Sequence, residues 1–127
     1  GATLYGVLSR GLLSASPIHV GDARANLPRF SGANREANAG LVASLQGLAQ
    51  RWEITLSQLA IGWARGKQPQ FVPTLGMRTL QQLDEALTAK PLTAEQLAEV
   101  EAIAPRGAIS GTRYPAAHMT ALDSEKR

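Results

Sequence analysis

The chain has 127 residues, 44% of them hydrophobic, which is enough for one domain with a buried core and predicts a chain that folds rather than staying disordered. It contains no cysteine, which rules out disulfides, thiolate metal sites and cysteine nucleophiles. The formal charge of +3 is the balance of 13 Lys and Arg against 10 Asp and Glu, and the arginines are scattered from Arg10 to Arg127 with only two Phe, two Trp and two Tyr in the chain, so no basic run or base-stacking platform marks a nucleic-acid binder.

No apolar run approaches a membrane span and no leader pattern opens the chain, so the expectation is a cytoplasmic protein without a membrane partner. The chain opens on Gly1 and is already apolar by Ala2, which reads as a piece of something longer.

Ala2–Leu8 is expected to form a first strand, running into a turn at Gly11. From Ser14 to Asn38 no periodicity is evident, and Pro17, Gly21, Pro28 and Gly32 punctuate the stretch. A connection of that length is either a lid or binding loop or a disordered surface insertion. Helical spacing starts near Ala39, with Leu41, Leu45, Leu48 and Trp52 on one face. A second helix opens at Thr55, whose capping box closes with Gln58, and Gly66 is read as its stop. Both tryptophans, Trp52 and Trp63, are expected in the core. Phe71 and Val72 suit a short buried strand, with Pro73 at its end. Next comes a helix from Thr79 to about Thr88, with Leu80, Leu83 and Leu87 facing inward. Thr93 opens the best-signalled helix, with a capping box to Gln96 and a stop at Pro105. An irregular tail follows from Arg106, ending in a charged, frayed Asp123–Arg127. Two apolar strands separated by helices imply parallel pairing through a right-handed crossover. Two such strands make no stable sheet alone, so further strands are expected ahead of Gly1.

The stretch around Gly76 carries the chemistry. Gly76 permits a sharp turn and close approach of a ligand, and Thr79 with Gln82 forms a capping box. The helix's free N–H groups and positive dipole end then lie beside Arg78, an arrangement suited to a phosphate. Taken alone, the stretch also fits an ordinary strand–turn–helix with a solvent-facing arginine.

Four stretches together resemble the C-terminal part of the aldo-keto reductase family, NADPH-dependent (β/α)8 barrel enzymes. They are Tyr5-Gly-Val-Leu-Ser-Arg-Gly-Leu-Leu13; Pro28-Arg-Phe30 with Asn34 and Asn38; Ser57-Gln-Leu-Ala-Ile-Gly-Trp63; and Val72-Pro-Thr-Leu-Gly-Met-Arg-Thr79 with Gln82-Leu-Asp-Glu85. The resemblance runs from Tyr5 to about Met119 and makes the two strands the seventh and eighth of the barrel. The expected fold is therefore α/β: an incomplete TIM barrel with two parallel strands and about four helices. All of 1–127 would be one cofactor-binding section, with 14–38 as a long loop and 106–127 as a tail. In such barrels the loops after strands seven and eight often build a phosphate site.

The resemblance implies NADPH as cofactor. Tyr5 would stack on the nicotinamide, and Gly6, Leu8 and Arg10 would belong to the loop crossing the pyrophosphate. Gly76, Met77, Arg78 and Thr79 would grip the 2′-phosphate, with Gln82 and Glu85 near the adenine ribose, and Tyr114 would stand at the substrate mouth. Arg78 favours a dianionic phosphate through its fork of donors. Where many members have Ser-Pro this chain has Gly6-Val7, and where they have Asn it has Ala86, removing a hydroxyl and an amide from the cofactor's surroundings. The family's Asp, Tyr, Lys and His would lie ahead of Gly1. His19 and His118 have no metal-ligand spacing or partnered carboxylate, and Lys67, Lys90 and Lys126 are assigned to loops or the terminus. No metal is expected. The implied activity is hydride transfer between NADPH and an aldehyde or ketone, with this section alone inactive and either joined to a missing N-terminal half of the barrel or self-associating. The alternatives are a non-catalytic NADPH-binding or interaction protein on the same scaffold, and a free-standing α/β module without cofactor.

Overall fold

The computed structural model describes residues 1–14 and 16–122. Strand β1 (Ala2–Tyr5) and strand β2 (Phe71–Thr74) pair in parallel, Ala2 opposite Phe71 and Tyr5 opposite Thr74. The helices are α1 (Gly32–Arg51), α2 (Leu56–Lys67), α3 (Leu80–Thr88), α4 (Ala94–Ile103) and the short α5 (Ala116–Met119). Both strands therefore end at one edge of the sheet, and the loops that follow them open on the same side. The strand expected over Ala2–Leu8 ends three residues sooner because Gly6 turns the backbone to φ 76°, outside the strand region.

Helix α2 is the hub, touching α1, α3, α4 and β2. Its start is set by the expected capping box: Thr55 Oγ1 accepts from the Gln58 amide at 3.1 Å and Gln58 Oε1 from the Thr55 amide at 2.9 Å. The core joins Leu45, Leu48 and Ala49 of α1, Leu56 and Leu59 of α2, Leu92, and Val100 of α4, with Trp52, Ile54 and Leu97 against it. Gly66 is not the stop of α2, which runs on to Lys67. Its role is closeness: a Cβ there would lie 2.8 Å from the Leu92 carbonyl. Gly62, one turn earlier, is tighter still, because its carbonyl accepts from the Leu92 amide at 3.0 Å. Lys67 belongs to the helix rather than a loop, and pairs with Glu101 at 2.8 Å. Helix α4 has the capping box read at Thr93.

The segment read as structureless to Asn38 is helical from Gly32, and ahead of it lie two 3-10 turns, Ala23–Asn26 and Pro28–Phe30. The inward positions of α1 continue at helical spacing through Asn38 and Asn34, so the face persists but its residues are polar. Asn38 is 1% exposed, and it is the buried polar residue on which three segments converge. Its Nδ2 donates to the Arg29 carbonyl and the Ser110 carbonyl, both at 2.9 Å, and its Oδ1 accepts from the Ser110 amide at 2.8 Å.

Several apolar side chains read as buried are not. Leu80 is 79% exposed, Leu87 72% and Val72 63%, while Leu83 and Trp63 also stand in the exposed range. The leucine stripe of α3 is real, but Thr55 and Gln58 at the start of α2 hold that helix through Glu85 and Thr88, and Leu80 and Leu87 at the ends of the stripe stay largely uncovered by the described residues. The tail read as irregular contains α5, and Asp123–Arg127, with Lys126, lie outside the described residues.

Asn38→Ala should lower the unfolding free energy by about 2–4 kcal/mol, since it orphans buried backbone groups as well as removing bonds. Urea denaturation checks this, and a loss below about 0.5 kcal/mol, the size of an ordinary surface change, would contradict the account.

Candidate functional site: two cavities at one sheet edge

A cavity of about 550 Å³ opens where the loops after β1 and β2 face each other. Of the residues read as cofactor-binding it gathers Gly6, Leu8, Arg10, Gly76, Met77, Arg78, Gln82 and Glu85. Tyr5 and Thr79 are not in its wall. Ser57 and Ile61 of α2 form part of the wall, and Val7 and Ala86 line it too. The donors removed by Gly6-Val7 and Ala86 are therefore missing from this cavity.

At the N-terminus of α3, Thr79 caps as expected, accepting from the Gln82 amide at 3.2 Å. The reciprocal arm of the box is displaced by one residue: Gln82 Oε1 accepts from the Arg78 amide at 2.8 Å. Gln82 thus occupies a main-chain donor that an incoming anion would use. The Arg78 side chain is exposed and forms no hydrogen bond or ion pair with the described residues. Glu85 is anchored elsewhere, its Oε2 accepting from Thr55 Oγ1 at 3.3 Å and its Oε1 from Gln81 Nε2 at 3.1 Å.

The opposite rim is an unusual turn. Ser9, Arg10 and Gly11 take successive left-handed conformations, φ 47°, 58° and 90°. Left-handed backbone costs a non-glycine residue about 1–2 kcal/mol, so other contacts must hold Ser9 and Arg10 there. Arg24 supplies one: its Nη1 donates to the Arg10 carbonyl at 3.1 Å, and its Nη2 donates to the Pro17 carbonyl at 2.9 Å. Asp22 fixes Arg24 in turn through a forked pair, Nη2 to Oδ2 at 2.6 Å and Nε to Oδ1 at 3.0 Å. Gly11 is needed twice over, for its φ and because a Cβ would lie 2.5 Å from Arg24 Nη1. Asp22 and Arg24 line the first cavity, and the sequence reading passed over both. The available signal was Asp22 two residues before Arg24 at the head of a short turn, where an aspartate caps through its side chain.

The Arg24 hydrogen bond, foremost, holds the Asp22 carboxyl down at about 2, with His19 contributing least. The His19 carbonyl accepts from the Asp22 amide at 3.1 Å, a main-chain contact.

A second cavity of about 250 Å³ adjoins the first, sharing Gly6 and Arg10 with it. Tyr5 and Tyr114 line this one, with Arg29 and Arg113. The tail reaches it by folding back across α1, with Ser110 on Asn38 and the Gly111 carbonyl accepting from Arg29 Nε at 3.3 Å. The Arg10 guanidinium lies 4.8 Å from the centre of the Tyr114 ring. Arg10, chiefly through a hydrogen bond, lowers the Tyr114 hydroxyl from its usual range, and Arg113 and Tyr5 act in the same direction. Among the described residues no cluster of three or more His, Asp or Glu could hold a metal ion, and no helix is long and apolar enough to cross a membrane.

The fold and these loops define the class. Residues 1–105 match the model of the aldo/keto reductase family, and the chain belongs to that family. It is similar to aldo-keto reductase str7 of Strobilurus tenacellus, 28% identical over 127 aligned residues that cover 94% of this chain and 38% of that protein. Probable aldo-keto reductase 1 of Glycine max is 32% identical over 90 residues, 68% of this chain and 26% of that protein. Among solved structures, glycerol dehydrogenase AKR11B4 from Gluconobacter oxydans superposes with a TM-score of 0.64 at 25% identity, over 78% of this chain and 32% of that one. The chain therefore spans well under half the length of these relatives, and its two parallel strands and helices correspond to part of a barrel.

The Asp22 carboxylate has a depressed pKa, so the clasp holds above the unfolded-state value of about 4 and is lost as pH falls through about 2. Measured against the intrinsic exchange rate at each pH, the protection of the amides in 18–24 should accordingly fall below pH 4, and Asp22→Asn should show the reduced protection already at pH 7. Equal exchange in the variant and the parent chain at pH 7 would mean that the clasp does not hold the loop.

Proposed function

We propose that this chain is the cofactor-binding section of an NADPH-dependent oxidoreductase that interconverts an aldehyde or ketone with an alcohol. The observation that carries the reading is the first cavity, where Arg78 at the mouth of α3 and the left-handed turn at Arg10 face each other across the ends of two parallel strands. The donor set fits the cofactor: a guanidinium without a partner among the described residues beside a helix N-terminus suits a 2′-phosphate. In this reading Arg78 grips that phosphate, with Gly76 and Met77 shaping the turn. Gln82 gives up the Arg78 amide on binding, and Glu85 bounds the ribose end. Thr79 serves as the cap that starts the helix rather than as a direct ligand. Arg10 and Leu8 border the pyrophosphate path, and Gly6 leaves room for passage to the second cavity, where Tyr5 offers its ring to the nicotinamide. Bound there, NADPH supplies the hydride.

The proton donor and its partners belong to residues outside this chain, and the section alone is expected to be inactive. The exposed stripe of Leu80, Leu83 and Leu87 supports a covering partner: the preceding part of the same barrel or, failing that, a second copy. The name of the glycerol dehydrogenase neighbour is compatible with an alcohol–carbonyl pair.

Fluorescence titration of the complete gene product tests the reading. NADPH should bind more tightly than NADH, and Arg78→Ala should weaken NADPH roughly 10- to 100-fold, the worth of charge-assisted bonds, while scarcely affecting NADH. Equal affinity for the two nucleotides would refute the assignment of Arg78.

A further inference from the structure

Arg10 stands where the two cavities meet, and two separate elements hold it. Its main chain, at φ 58°, is fixed by Arg24, whose Nη1 donates to the Arg10 carbonyl at 3.1 Å. Its guanidinium is fixed by the tail, 4.8 Å from the centre of the Tyr114 ring. The residue is exposed, and it lines the first cavity as well as the second. A contact with an aromatic ring occupies the flat face of a guanidinium and leaves N–H donors at its edge for an anion. A long exposed arginine without such a contact samples many rotamers, and ordering it when an anion arrives costs affinity. A ring that orders the guanidinium beforehand removes that cost.

Tyr114 is itself ordered from outside the cofactor loops. Four residues before it, both main-chain groups of Ser110 are bound by the buried Asn38 side chain, at 2.9 and 2.8 Å. Gly111 then passes so close to the Pro28 carbonyl that a Cβ would lie 3.0 Å from its oxygen. Thr112 Oγ1 donates to the Tyr114 carbonyl at 2.8 Å, closing the turn that presents the ring.

We propose that Tyr114 is a positioning residue for the nucleotide: its ring holds the Arg10 guanidinium where the two cavities meet, so that the tail sets the affinity of the loop after β1. The proposal rests on the reductase reading and adds to it a residue that acts through Arg10. Arg10 borders the pyrophosphate path, which NADPH and NADH share, so Tyr114 acts alike on both nucleotides. Arg78, at the 2′-phosphate, acts on NADPH alone.

Fluorescence titration of the complete gene product with NADPH and with NADH tests this. Tyr114→Leu should weaken both by a similar factor, about three- to tenfold, the range expected of one cation–π contact. Tyr114→Phe, which keeps the ring, should bind closer to the parent chain than to Tyr114→Leu. Arg10→Met should also weaken both nucleotides, and adding Tyr114→Leu to it should cost nothing more, since the two residues act as one unit. A merely structural role for Tyr114 would give a further loss in that double variant. Parent-like binding by Tyr114→Leu, a loss confined to one nucleotide, Tyr114→Phe as weak as Tyr114→Leu, or a full further loss in the Arg10→Met chain each overturns the proposal. Nucleotide binding that ignores Tyr114 removes this role and leaves the proposed function standing. Equal affinity for the two nucleotides, with both weakened in Tyr114→Leu, keeps this role and removes the assignment of Arg78. No nucleotide binding by the parent chain removes both.

Discussion

The side chain of Asn38 is the constraint on which both cavities depend. One buried amide engages the carbonyl of Arg29 and both main-chain groups of Ser110, so the loop after β1, the start of α1 and the tail are joined at a single point. A buried amide is tolerated only when its donors and acceptor are met, which makes the junction selective for one arrangement of the three segments. No buried side-chain polar atom among the described residues lacks a partner. From this junction Arg29 reaches Ser9 and Gly111, and the tail lays Tyr114 beneath Arg10. The second cavity is thus a product of the junction, and the left-handed rim of the first is steadied by it.

The other half of the first cavity is organised differently. The position of α3 comes from its contact with α2 and from β2 ahead of it, while its apolar stripe is left uncovered. A helix whose strongest apolar face points away from its own chain is positioned for a further layer. That fits a section of a closed barrel, in which each helix packs against neighbours on both sides. The same reasoning applies to Val72, whose side chain leaves the two-stranded sheet on its open face.

Local chemistry made much of this legible in advance. The capping boxes at Thr55 and Thr93 mark the starts of α2 and α4 because the bonds involved span three residues. The cap at Thr79 was legible for the same reason. What escaped depended on partners distant in sequence. The first turns of α1 were missed because Asn34 and Asn38 hold its inward positions, and a search for apolar period passes over an inward amide whose partner is 72 residues away. Amphipathicity located the leucine stripe of α3 without revealing that its cover is absent, and Trp63 was assigned to the core on hydrophobicity alone. Gly62 and Gly66 carry no signal of their own until the Leu92 segment is laid against them. The cavity residues divide the same way: those near Gly76 were recognisable, whereas the Asp22–Arg24 clasp and the gathering of Arg29 and Arg113 required the folded loop.

The proposed function requires one nucleotide to bridge the two loops at the ends of the paired strands. Amide hydrogen exchange of the complete gene product, with and without saturating NADPH, tests it most directly. Slower exchange is expected at Ser9–Gly11 and across 76–81, with Ala94–Ile103 in α4 unchanged. Saturating binding that leaves both loops exchanging as before, or that protects α4 instead, would contradict it.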